Sequence, residues 1–122
     1  MMQTSYYEEE SHLIVKASGK LDTIHAPEFG KLLESLLAKK PASCLLDLSE
    51  VTFLSSSGLQ VLLAGAKISK KESIHFAVFG MSEMVNDVFC MSGFDRFIKS
   101  FASKEEALGG SHETDTDRTQ QN

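Results

Sequence analysis

Several absences narrow the possibilities first. Cysteine is scarce: the 122 residues hold only two. Cys44 and Cys90 are far apart in the chain, outside any CxxC spacing and each among apolar neighbours, so both read as reduced core residues. An excess of basic charge is also missing. Twelve Lys and Arg stand against seventeen Asp and Glu, a net charge of -5 with a pI near 5.3, so the footprint of a nucleic-acid or anionic-lipid binder is lacking. No apolar run approaches the roughly 20 residues of a membrane span. The opening MMQTSYYEEE is polar and acidic where a secretion signal needs a basic start and an apolar core, so a cytoplasmic protein is expected. His12, His25, His75 and His112 show no HExxH and no paired spacing, so no metal site is expected. Neither GxGxxG nor GxxxxGK[ST] occurs, so the chain has no recognisable phosphate cradle or cofactor site of its own. Any phosphoryl group on this protein would come from ATP held by another.

What is present suits a single globular domain, with 42% apolar and 24% charged residues. Two strand-like runs between Tyr6 and Ser18, followed by Gly19-Lys20, suggest an opening hairpin. Pro27 suits the first turn of a helix, and Phe29, Leu32, Leu33, Leu36 and Leu37 continue it at helical spacing. Ser43 to Leu48 is a short apolar run of the kind found in a central strand, closed by Asp47 and followed by a Ser49–Leu54 link. Leu59, Leu62, Leu63 and Ala66 mark a second helix, which puts Ser55, Ser56 and Ser57 at its N-terminus. A strand from Ile74 to Phe79 stops at Gly80, and Ser82 can cap a helix with Met84, Val85, Val88, Phe89 and Met91 on its buried side. Gly93 ends that helix. Phe97 to Phe101 forms a last apolar run, and Ser103 with Glu106 has the spacing of a capping box. The alternation of strands and helices argues for an α/β domain with a mixed sheet over residues 1–108. Residues 109–122 carry no large apolar side chain, so they are expected to form a disordered polar tail.

The serines carry the most chemical interest. Hydroxyls at a helix start lie where unpaired N–H groups and the positive dipole end stabilise an anion, so a phosphate would be well tolerated there. The plainer reading is that one serine is only an N-cap contributing about 1 kcal/mol. Spacing does not choose among Ser55, Ser56 and Ser57. A nucleophilic serine would need an oriented base, and SSSG lacks the GxSxG elbow, so hydrolysis is disfavoured and the chain reads as no enzyme. Asp22, in the loop before the first helix, reads as a cap or a solvated carboxylate. Asp47 and Glu50 flank the serine loop, where phosphate would add about -1.5 to -2 charge near existing carboxylates. Met81, Met84 and Met91 with Phe89 and Phe94 fit a core stripe better than an adaptable docking surface.

Taken together, Gly19-Lys20-Leu21-Asp22, then Leu45-Leu46-Asp47-Leu48 through Phe53-Leu54-Ser55-Ser56-Ser57-Gly58-Leu59, then Met91-Ser92-Gly93-Phe94, resemble the STAS domain of bacterial anti-sigma-factor antagonists. The resemblance covers about residues 6–108, and its central Asp-Leu-Ser-x-Val-x-Phe-Leu-Ser-Ser-Ser-Gly-Leu segment is the specific part. It implies a mixed four- or five-stranded sheet backed by helices, and a switch without a cofactor. By that likeness Ser56 is the residue phosphorylated by a serine kinase of the histidine-kinase-like ATPase fold, which doubles as the anti-sigma factor. A PP2C-type phosphatase would remove the phosphate. Asp22 matches the family's loop aspartate, and Ser57, Gly58 and Leu59 match the start of its interaction helix. Ser55 occupies a position where the best-known sporulation and stress members carry Asp.

Three functional expectations follow. The first is a partner-switching regulator in which phosphate on Ser56 weakens docking by repulsion and desolvation. The second is a constitutive STAS module of a transporter or signalling assembly, with Ser56 never modified. The third is a small serine hydrolase. No nucleic acid or membrane is expected as a partner, and the family likeness, with no obvious exposed apolar stripe, points to a monomer when free.

Overall fold

The computed structural model describes residues 2–109; of the expected tail over residues 109–122, Gly109 instead ends the last helix and the remainder lies outside the described residues. Elements β1 (Gln3–Glu9), β2 (His12–Leu21), β3 (Ser43–Leu54), β4 (His75–Phe79) and β5 (Lys99–Phe101) form one sheet in the order β1-β2-β3-β4-β5. The first pair is antiparallel and the other three are parallel. Helices α1 (Ala26–Leu37), α2 (Ser56–Glu72) and α3 (Glu83–Met91) supply the crossovers, with a 3-10 turn at Phe94–Arg96 and a last helix, α4, over residues 104–109. This is the expected mixed α/β sheet with five strands.

Period-two alternation sends Leu13, Val15, Ala17, Cys44, Leu46 and Leu48 to the face covered by α1, α2 and α3. Ile14, Leu45, Ala77 and Phe79 point the other way, where Ala107 of α4 covers them. The centre of β3 is therefore buried on both faces, as its apolar run predicts. Capping residues set the helix starts: Ser82 Oγ accepts from Val85 N–H at 3.2 Å, and Ser103 Oγ accepts from Glu106 N–H at 3.2 Å. Glu106 reaches back to the Ala102 N–H, one residue earlier than an ideal capping box. Lys104 ties α4 to β1 through Glu9 at 2.9 Å, and this bond holds its ammonium above the usual lysine range.

Three expectations require correction. Asp47 does not close β3: its carboxylate accepts from Ser49 N–H and Oγ–H at 3.0 and 2.7 Å, yet the strand runs on to Leu54. The pairing with β2 slips twice, between Lys16 and Ser18 and between Gly19 and Lys20, each time giving β3 an additional residue. The inward positions become Leu48, Val51 and Leu54, a spacing of three that a period-two reading takes for a loop. Cys90 is exposed while Cys44 is buried, and burial pushes the Cys44 thiol up to about 12. Met84 and Met91 are 67% and 86% exposed rather than on the buried side. At roughly 100° per helical residue, Met84, Cys90 and Met91 lie about 120–140° away from the stripe centred on Val85 and Phe89, which turns all three away from the sheet.

Candidate functional site

The C-terminal ends of β2 and β3 meet the start of α2, and the carbonyl of Leu21 is where they join. It accepts from Ser55 N–H at 3.1 Å and from the Ser55 hydroxyl at 3.2 Å. Ser55 has extended backbone and its Oγ in turn accepts from Gly58 N–H at 3.1 Å, making it the N-cap of α2. Gly58 allows the close approach that this arrangement needs. A Cβ there would stand 2.6 Å from the Leu21 carbonyl oxygen and 2.9 Å from side-chain carbons of Leu21 and Leu54. The Ser-Ser-Ser-Gly order is thus dictated locally: a cap, two first-turn positions and a residue without a side chain where helix meets sheet.

The three serines differ in what their hydroxyls do. The Ser55 hydroxyl is spent on the cap, and Ser57 Oγ shares a 3.3 Å hydrogen bond with Thr23 Oγ1. Ser56, at the first helical position, is exposed, and its hydroxyl has no hydrogen-bond partner among the described residues. Its environment is that of a helix start, where orphan N–H groups and the positive dipole end favour an added anion.

Asp22 follows Leu21 directly. Its Oδ1 accepts from the backbone N–H of His25 at 3.0 Å and lies 2.8 Å from His25 Nδ1. The His25 N–H bond, helped by the ring, holds the Asp22 carboxyl below its ordinary value of 3.8. Asp22 therefore shapes the loop into α1 while remaining half-buried. Gly58 and Leu59 are buried, so they position the surface instead of presenting side chains to it. Sequence reasoning missed Thr23, the Leu21 carbonyl, His25 and Ile24. The Asp-x-x-His spacing was the available signal for the turn; Ile24, 81% exposed beside this loop, carried none. Among the described residues no group of His, Cys, Asp and Glu is placed to hold a metal ion, and no helix is long and apolar enough to cross a membrane.

The mixed sheet that carries this site matches the family model described as STAS domain over residues 3–107. The chain belongs to the STAS domain family. Among characterised relatives, the anti-sigma-F factor antagonist RsfB of Mycobacterium tuberculosis is 29% identical over 98 residues, 80% of this chain and 79% of the relative. The crystal structure of an anti-sigma factor antagonist from Mycobacterium paratuberculosis superposes with a TM-score of 0.86 at 25% identity, covering 92% of this chain and 95% of that one. The Bacillus cell fate determinant SpoIIAA in its phosphorylated form has a TM-score of 0.66 at 16% identity over 89% of this chain and 97% of that one, and shares the fold. STAS membership accounts for the single α/β domain with its five-stranded mixed sheet.

Proposed function

We propose that this STAS domain is an anti-sigma-factor-antagonist-like regulator that switches partners through reversible phosphorylation of Ser56. The observation that carries the reading is the division of labour among the three serines. Ser55 and Ser57 hydroxyls are engaged, whereas Ser56 Oγ is exposed and unengaged among the described residues. A kinase can take that hydroxyl without breaking the cap or the Thr23 contact. In this reading the kinase has the histidine-kinase-like ATPase fold and also acts as the anti-sigma factor, and a PP2C-type phosphatase reverses the modification. RsfB, the relative from M. tuberculosis, is named for antagonism of an anti-sigma factor, and SpoIIAA has been obtained phosphorylated.

The added group brings about -1.5 to -2 charge at neutral pH. The first turn of α2 stabilises it in the free protein through orphan N–H groups and the helix dipole. In a complex the same phosphate must be desolvated against the partner, with the Asp22 carboxylate following directly on Leu21, whose carbonyl holds Ser55. A penalty of about 3 kcal/mol lowers affinity roughly 100-fold, enough to release a partner. The unmodified form, a monomer in the cytoplasm, docks through Ser56, Ser57 and the Asp22 loop. Gly58 and Leu59 fix the angle of the helix.

The test is to present Ser56→Ala and Ser56→Asp proteins to the lysate of the source cell and identify what each retains by mass spectrometry. The reading predicts an ATPase of the histidine-kinase-like fold held by the alanine form and lost from the aspartate form. Equal retention of a transporter or assembly component by both forms overturns it in favour of a constitutive module.

A further inference from the structure

The far end of α2 carries a second surface that owes nothing to the serines. The C-terminal half of α2 runs past the 3-10 turn and β5 and leaves a trough of about 590 Å³, lined by Lys67, Lys70, Arg96 and Phe97 among others. Beyond Lys70 and Phe97 the trough continues into a space of about 430 Å³ that Ser69 and Lys99 also line. Four cationic side chains from two separate parts of the chain thus converge, and no carboxylate lines either part. None of the four is in an ion pair among the described residues. Such a cluster is out of keeping with a protein of net charge -5. Lysines in the last turn of a helix are ordinary partners of its dipole, but Arg96 and Lys99 come from outside the helix and have no such reason to be there. Phe97, 68% exposed, stands at the junction of the two spaces. Ser69 is 1% exposed, with a hydroxyl that has no partner among the described residues.

We propose that this trough is a docking site for an acidic segment of a protein partner, with carboxylates on Lys67, Lys70, Arg96 and Lys99 and an apolar side chain on Phe97. The trough is open along its length, unlike the enclosed pockets that bury most of a small ligand. A long polyanion such as nucleic acid would extend beyond it over a net acidic surface, whereas a short acidic segment meets only the local positive charge. The site lies at the negative end of the α2 dipole, which disfavours a compact dianion such as phosphate relative to carboxylates spread over several residues. From Ser56 to Lys70 the helix rises about 21 Å at roughly 1.5 Å per residue, so a partner can occupy this trough whatever the state of the serine.

The test uses the full chain and a fluorescein-labelled peptide of about eight Asp and Glu residues around one central Phe, long enough when extended to span the trough. Binding is read by anisotropy at low and at physiological salt. Saturable binding is expected, weakened by salt and unchanged in the Ser56→Asp protein. Lys67→Glu with Lys70→Glu should weaken it by about tenfold or more, and Phe97→Ala should weaken it with the charges intact. Lys67→Gln with Lys70→Gln, verified as folded by circular dichroism, gives the same direction if charge reversal disturbs the fold. Absence of binding at millimolar peptide, or binding untouched by these substitutions, overturns the proposal. So does loss of binding in Ser56→Asp. Retention of a single-stranded oligonucleotide, inorganic phosphate or an anionic vesicle in place of the peptide overturns it in favour of that ligand.

Discussion

The two ends of α2 are built on opposite plans. At its N-terminus the Ser55 and Ser57 hydroxyls are matched, Gly58 fills the only space available, and Ser56 is left over. At its C-terminus the side chains Lys67 and Lys70 stand unpaired among the described residues over an open trough. The contrast shows two ways of presenting a surface. A tightly bonded end can offer one reactive group in a fixed position, which suits covalent modification. An open charged end offers many weak contacts, which suits docking that leaves the fold untouched.

The sharpest way to break this comparison is to crowd the tight end. Gly58→Ala places a methyl group 2.6 Å from a backbone oxygen that cannot move alone, and should destabilise the protein by about 3 kcal/mol, read from the shift in denaturant midpoint. Gly65→Ala is the control farther along the same helix. Its Cβ would meet Leu33 Cδ2 at 2.8 Å and the Phe76 ring at 3.0 Å, side chains able to give, and alanine recovers about 1 kcal/mol of helix propensity. Its net change should be well below that of Gly58→Ala.

Next in size are the serines. Ser55→Ala removes the N-cap and should cost about 1 kcal/mol, whereas Ser56→Ala should stay within about 0.5 kcal/mol in the same denaturation assay, since it breaks no bond in the fold. Equal losses would erase the difference between the two positions. A thiol reagent at pH 8 gives a third contrast. Cys90 should react quickly in the native protein and Cys44 only on unfolding, because Cys44 is buried and its thiol is pushed up to about 12.

The smallest expected effect is on pH dependence. The folded-state value of Asp22 is lowered, so its contribution to stability is present above the ordinary value of 3.8 and is lost as pH falls through the lowered one. Asp22→Asn should flatten that part of the stability profile measured between pH 5 and pH 2, while keeping an acceptor for the His25 N–H.

Much of the fold was legible because its elements follow simple periods. Phe29, Leu33, Leu36 and Leu37 mark α1, and Cys44 to Leu48 mark a strand covered on both faces. The second half of β3 was not legible, because two bulges replace a spacing of two by one of three, and Asp47 makes a local turn-like bond that does not end the strand. Met84, Met91 and Cys90 were misplaced because a nine-residue helix needs only Val85 and Phe89 at its centre to dock, and apolar type alone does not fix rotation. At the serine site spacing left three positions open and the family resemblance pointed to Ser56; hydrogen bonding engages the Ser55 and Ser57 hydroxyls and leaves that of Ser56 unengaged among the described residues. That separation depends on Leu21 and Thr23, distant in sequence and themselves ordinary.

The most direct measurement is to map phosphate by fragmentation mass spectrometry on the protein isolated from its source cell across growth conditions, alongside Ser55→Ala, Ser56→Ala and Ser57→Ala forms. A single phosphate on Ser56, absent only from the Ser56→Ala form, is the predicted result. Phosphate on Ser55 or Ser57, or none under any condition, would contradict the account.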